Sequence, residues 1–103
     1  MMAMAAMLVI APMPTHAQYS DYAAATRQQA YQYELEQLNL NHQMQMERLQ
    51  RGLRSAEENY QMIEGAMKPF AYQDVLEWRR MIREEQERYM RARRELQYRY
   101  FGY

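Results

Sequence analysis

Apolar side chains recur along the chain at intervals of three and four residues, over two separate stretches. The first series begins at Tyr31 and continues to Met67, and the second begins at Val75 and continues to Leu96. This spacing places each series on one face of an α-helix and is typical of a coiled-coil seam. No stretch shows the alternation of apolar and polar residues that predicts a half-buried strand. The pattern therefore predicts an all-α protein built from two amphipathic helices.

The segment between the two series contains residues that end and begin helices. Gly65 can end a helix in the left-handed conformation, and Pro69 cannot continue one. Asp74, followed three residues later by Glu77, has the pattern of an N-cap, although Pro69 could instead occupy the first turn of a helix that starts earlier. We expect a first helix over about 19–64, a turn within about 65–73 and a second helix over about 74–100.

Because the turn is short, the two helices are expected to fold back on each other as an antiparallel, coiled-coil-like hairpin. A turn centred in this segment would place Trp78 opposite Tyr60. Glu85 is the acidic residue within the second seam, and we expect it to pair with Arg54 or Arg51 and to set the register of the hairpin.

Gly52 is the main competing break in the first helix. Ser55 followed by Glu58 is a capping-box pattern, which would let the chain stop near Gly52 and restart as a new helix. Against this, the heptad spacing passes through Gly52 without a change of phase, and a single Gly in a helix costs only about 1 kcal/mol. We expect a continuous first helix, with a three-helix arrangement broken at Gly52 as the alternative.

The first seventeen residues contain no charged side chain. Their apolar run, from Met2 to Ala11, is about half the ~20 residues needed to span a bilayer, and two prolines follow it. Thr15 and Ala17 then place small residues at the positions that a signal peptidase reads. The pattern predicts a signal peptide over 1–17, although it lacks a basic n-region, and a single helical-hairpin domain over 18–103. We therefore expect a protein exported across the inner membrane to the periplasm, with an uncleaved membrane anchor as the alternative.

Charge is balanced over the whole chain but not along it. The sequence has 13 basic and 13 acidic side chains and no Cys, which excludes disulfides, thiolate zinc sites and thiol catalysis. Residues 18–67 carry four basic and seven acidic groups, net −3, whereas residues 68–103 carry nine basic and six acidic groups, net +3. Opposite charge should favour pairing of the two arms, although each exposed pair contributes little. The overall neutrality argues against a nucleic-acid partner.

Candidate chemistry is sparse. The sequence has no phosphate-binding loop, nucleophile elbow or metalloprotease motif, and a two-helix rod encloses no pocket for a substrate. We predict that the chain is not an enzyme and needs no cofactor. His42, Met44 and Met46 form a candidate metal site, since imidazole and thioether ligands suit Cu(I). Residues two apart on a helix point away from each other, so the preferred interpretation is that these side chains pack in the helical seam. A copper- or metal-responsive binding protein is the alternative.

The function that the pattern favours is a protein interaction module. The first helix is expected to extend beyond the second over residues 18–40, and the C-terminal segment is rich in aromatic side chains. The candidate contact residues are Tyr22, Tyr31, Tyr33, Leu35, Leu38, Tyr98, Tyr100 and Phe101. We expect them to bind a protein partner or client, or to mediate self-association as a homo-oligomer. A membrane-tethered structural subunit of an envelope assembly is a further alternative, in which only residues 1–17 would contact the membrane.

Overall fold

The computed structural model describes the backbone of residues 16–103 and the side chains from Ser20 onward. Nearly all of the predicted signal peptide, residues 1–15, lies outside the described part of the chain. Helix α1 comprises His16–Met62 and helix α2 comprises Lys68–Phe101, with a single 3₁₀ turn at Gly65–Met67 between them. At 1.5 Å per residue, α1 is about 70 Å long and α2 about 50 Å. Residues 16–103 contain no strand, and the predicted antiparallel all-α hairpin is confirmed.

The turn is tighter than the sequence pattern suggested. Glu64 is extended after the end of α1, and Gly65 follows with φ +79°, a left-handed conformation that strains any residue with a Cβ. Pro69 lies in the first turn of α2, where its missing N–H removes no hydrogen bond. Asp74 therefore lies within α2 and is not its N-cap. Helix α2 begins at Lys68, which confirms the alternative in which Pro69 occupies the first turn of an earlier-starting second helix.

The earlier start of α2 changes the register of the hairpin. Trp78 lies against Gly52 and not against Tyr60, and Glu85 meets His42 on α1 and neither of the arginines expected. Residues of α2 therefore lie opposite points about two to three helical turns earlier in α1 than predicted. Seam positions recur about once per helical turn, so a shift by a few whole turns still keeps apolar side chains facing each other.

Because of this shift, α2 covers more of α1 than expected. The ring of Tyr31 lies 4.9 Å from that of Phe101 and 6.0 Å from that of Tyr100, measured between centroids. Residues 31, 35 and 38, which were predicted to overhang, are half-buried by the second helix. The side chains of residues 20–29 are all exposed, so the overhang is confined to the first part of α1.

The core of the hairpin is one layer thick. The residues of both predicted seams are buried or half-buried, with the exception of Met67 in the turn. The buried apolar side chains are Leu49, Ala56, Ala71, Val75 and Leu96. Helix α1 continues through Gly52 without a break, so the three-helix alternative is not adopted. Neither α1 nor α2 has the continuous apolar length that crossing a membrane would require.

Candidate functional site

A carboxylate occupies the middle of the helix–helix interface. Glu85 is the one buried charged residue in the described part of the chain, with 9% of its surface exposed. Arg88, one turn later on α2, donates two hydrogen bonds to it, from Nε at 2.8 Å and from Nη2 at 2.7 Å. His42 Nδ1 on α1 lies 3.1 Å from Glu85 Oε1. Partners from both helices thus share one buried carboxylate.

These hydrogen bonds determine the ionisation of Glu85. The two bonds from Arg88 lower its pKa below the usual value, burial opposes them, and His42 lowers the pKa further. The donors outweigh the cost of burial, so the carboxylate is held in its charged form. An unpaired charge here would destabilise the hairpin, and the arrangement therefore favours the register in which His42 and Glu85 meet.

An aromatic ring on α2 covers the imidazole of His42. The rings of His42 and Tyr89 are stacked, with centroids 3.9 Å apart and planes 6° from parallel. The Tyr89 hydroxyl donates a hydrogen bond to Asn39 Oδ1, one turn earlier on α1. The guanidinium of Arg93 lies 5.7 Å from the centroid of the Tyr89 ring. His42 is therefore held between a carboxylate and an aromatic face.

A second polar group closes the open end of the hairpin. Arg99 Nη1 lies 3.3 Å from Glu34 Oε2, and a hydrogen bond to the same carboxylate raises the pKa of the Tyr100 hydroxyl. Together with the contacts of Tyr31 described above, this group fixes the end of α2 to α1. Two of the aromatic residues of the C-terminal segment, Tyr100 and Phe101, are therefore explained by their packing against α1.

The turn end carries an exposed apolar surface, which we call the tip cluster and define as Met62, Met67 and Phe70. Their side chains are 83%, 60% and 67% exposed. Beside them, Lys68 Nζ lies 3.4 Å from the carbonyl oxygens of both Tyr60 and Ile63. The same ammonium group is 4.6 Å from the centroid of the Tyr60 ring. Lys68 therefore caps the negative end of α1, and Met62, Met67 and Phe70 remain exposed beside it.

Sequence reasoning did not identify the tip cluster as a contact surface. A heptad pattern shows which residues face the partner helix, and these three do not belong to one helical face. The available signal was their position beside Gly65 and Pro69, since apolar residues at a turn are left without a facing helix. Met67 was assigned to the first seam, but the helix ends before it, which leaves it exposed.

The three candidate metal ligands do not share one environment. His42 directs Nδ1 toward Glu85, Met46 is half-buried one turn later, and Met44 is 61% exposed. Among the side chains that the structure describes, from Ser20 onward, His, Asp and Glu form no group of three or more suited to hold a metal ion. The metal hypothesis for His42, Met44 and Met46 stays a prediction.

The candidate partner-contact residues divide into two groups. Tyr31, Leu35, Leu38, Tyr100 and Phe101 are half-buried between the helices. Tyr22, Tyr33 and Tyr98 are exposed to 74%, 64% and 69%. The second group therefore remains accessible to another molecule.

Comparison with known proteins finds no family model that matches this chain, and no curated protein or solved structure significantly similar to it. The functional interpretation therefore depends on the geometry described above.

Proposed function

We propose that the chain is an exported helical hairpin that acts as an interaction module and binds a protein partner through its tip cluster. The observation that carries this proposal is the exposure of Met62, Met67 and Phe70 around a turn at which Lys68 contacts the last carbonyl groups of α1. Apolar side chains clustered on a surface are characteristic of a protein contact. Met adapts to irregular partner surfaces, and an aromatic side chain provides a large contact area.

The position of the cluster supports a protruding contact rather than a flat one. The two helices of the hairpin meet at this turn, so the three exposed side chains lie at one end of an elongated molecule. Such a shape fits an apolar groove on a partner, as when an amphipathic element is laid into a cleft. The polar network around Glu85 has a different part in this proposal: it fixes the register and so the geometry of the tip.

Site-specific photo-crosslinking in cells tests the proposal. A photoreactive phenylalanine analogue at position 70 should give a discrete adduct with a partner protein. The same analogue at Gln50, which is exposed on α1 away from the tip, is the matched control and should give none. Met67→Asp in the background of the analogue at position 70 should remove the adduct, since a charge in the cluster opposes apolar docking. Equal labelling at positions 50 and 70 would contradict the proposal.

Export is tested separately by fractionation and by N-terminal sequencing of the mature protein. We expect the protein in the periplasmic fraction with Gln18 as its first residue. An intact N-terminus retained in the membrane fraction would favour the tethered alternative.

A further inference from the structure

The solvent-facing side of α1 carries an uncharged stripe with four large apolar side chains, separate from the tip cluster. Its large members are Tyr22, Tyr33, Leu40 and Met44, exposed to 74%, 64%, 53% and 61%. Thr26, Gln29 and Gln37 lie between them, so the complete stripe follows steps of 4, 3, 4, 4, 3 and 4 residues. These are the steps of a helical seam. We call this set of seven residues the outer stripe.

The outer stripe is centred on the side of α1 opposite the interface with α2, and Gln37 at its edge borders the groove between the two helices. At 3.6 residues per turn, Tyr33 is about 170° around the helix from the mean direction of the buried seam. Helix α2 therefore leaves the four large side chains of the stripe exposed. The outer stripe also contains no charged residue, although the chain as a whole is 25% charged.

We infer that the outer stripe binds a second copy of this chain, forming an antiparallel dimer through α1. A two-fold axis places a residue on the axis beside the same residue of the second chain. A charged side chain near the axis would therefore repel the identical charge of the second chain. An uncharged stripe avoids this cost. The net charge of the chain is +0, so the two copies also do not repel each other as whole molecules.

The spacing of the stripe is self-complementary in the antiparallel direction. Tyr33 lies eleven residues from Tyr22 and eleven from Met44. A two-fold axis at Tyr33 therefore places Tyr22 of one copy opposite Met44 of the other at both ends of the contact. Methionine sulphur packs favourably against aromatic rings. The same axis places Gln29 opposite Gln37, whose amides can hydrogen-bond to each other.

Complete burial of the four large side chains would reach the area of a weak dimer. The four large exposed side chains contribute roughly 500 Å² per copy, given that a fully buried aromatic side chain alone accounts for 150–250 Å². Two copies together would then bury on the order of 1,000 Å², the lower bound for a specific protein–protein interface. We therefore expect an equilibrium between monomer and dimer that depends on protein concentration.

Sedimentation equilibrium of the purified protein tests the dimer. The wild type should shift from monomer to dimer as its concentration rises, and Tyr33→Lys should raise the dissociation constant by at least about tenfold, because it places like charges on the axis. Met90→Lys, which changes a 54% exposed apolar side chain on α2, is the matched control and should leave the dissociation constant unchanged. Circular dichroism should show that both variants keep the helical hairpin.

Single cysteines test the antiparallel arrangement, since the chain has no Cys of its own. Under mild oxidation, a mixture of Tyr22→Cys and Met44→Cys proteins should give a mixed disulfide dimer, whereas Tyr22→Cys alone should stay monomeric on a non-reducing gel. A wild type that is monomeric at all concentrations, a dimer insensitive to Tyr33→Lys, or crosslinking of Tyr22→Cys with itself would each overturn the inference. Met67→Asp should leave the dimer intact, so this inference and the proposed tip contact can fail independently.

Discussion

The indole ring of Trp78 on α2 fills the space into which a side chain at Gly52 of α1 would project. A Cβ built on Gly52 would lie 2.4 Å from Trp78 Cζ3 and 2.5 Å from Cη2. Both positions are far inside van der Waals contact, so the two helices approach this closely only because position 52 has no side chain. Gly52 is thus required for packing and not for a break in the helix.

Gly52→Ala is expected to destabilise the hairpin. Alanine favours a helix over glycine by about 1 kcal/mol, but the clash with a large, half-buried ring costs about 1–3 kcal/mol and displaces the indole. We expect a lower melting temperature by circular dichroism. Trp78 is the single Trp in the chain, so its fluorescence should shift to the red as the ring becomes more exposed.

The matched control for this prediction is the same change in a Trp78→Ala background. There the clash is absent, so Gly52→Ala should raise the melting temperature through helix propensity alone. Stabilisation by Gly52→Ala in both backgrounds would contradict the packing of Trp78 against α1.

Removing the charge of Glu85 should change the stability of the hairpin in a pH-dependent way. Hydrogen bonds from Arg88 lower the pKa of Glu85 below its ordinary value of 4.5. The carboxylate therefore contributes stability that is complete above this ordinary pKa and is lost as the pH falls through the lower folded-state value. At pH 7, Glu85→Gln should cost about 1–3 kcal/mol. The difference in melting temperature between wild type and variant should be constant at neutral pH and should narrow progressively as the pH is lowered below the ordinary pKa of 4.5 toward the lower folded-state pKa.

Glu58→Gln is the control for the pH series. Glu58 is exposed on α1, so its substitution should change the melting temperature little at any pH. A difference between wild type and Glu85→Gln that stays constant down to the lowest pH would show that the buried carboxylate is not stabilised in its charged form.

The predicted helices and their buried faces agree with the structure, because spacing along a helix directly determines which residues share a face. The pairing between helices could not be derived in the same way. Heptad seams match each other after a shift of one heptad, and only the turn distinguishes the alternatives. The choice between Asp74 as an N-cap and Pro69 in the first turn of α2 therefore decided whether Glu85 would meet Arg54 or His42.

The site was less predictable than the fold for the same reason. Gly52 and Trp78 are conspicuous in the sequence, but their contact depends on the register of two distant segments. The tip cluster depends on where each helix ends, which periodicity defines poorly. The outer stripe, by contrast, can be identified from residue spacing alone. Once the first seam of α1 is known to pack against α2, the stripe is the set of uncharged positions on the opposite face of α1.

Lys68→Met is expected to loosen the turn. The variant keeps an apolar stem of similar length but loses the ammonium group that contacts the Tyr60 and Ile63 carbonyls and the Tyr60 ring. Loss of the cap and the cation–π contact should cost about 0.5–1.5 kcal/mol in urea denaturation, with an unchanged m-value. Arg83→Met, at an exposed position of α2, should leave the free energy of unfolding unchanged within error. Equal effects of both substitutions would contradict a specific role for Lys68.

Phe101→Ala should release the end of α2 from α1. The ring of Phe101 packs edge-on against Tyr31, so its removal leaves the last turn of α2 with fewer contacts. We expect faster amide hydrogen exchange in the last turn of α2 and around Tyr31, with little change near the tip. Tyr98→Ala removes a 69% exposed ring and should leave these exchange rates unchanged. Uniformly faster exchange along both helices would mean that Phe101 supports the whole hairpin and not its end alone.

The distance along the chain between contacting residues grows steadily from the turn to the free ends. The contact of Lys68 with Tyr60 spans 8 residues, that of His42 with Glu85 spans 43, and that of Glu34 with Arg99 spans 65. Closing a longer loop costs more chain entropy, so we expect the contacts next to Gly65 to form first and each later pair to close only a short additional loop. We expect the contacts to be lost in the reverse order, from the free ends of the helices toward the turn, so that the surface proposed for partner binding is the last part of the fold to be lost.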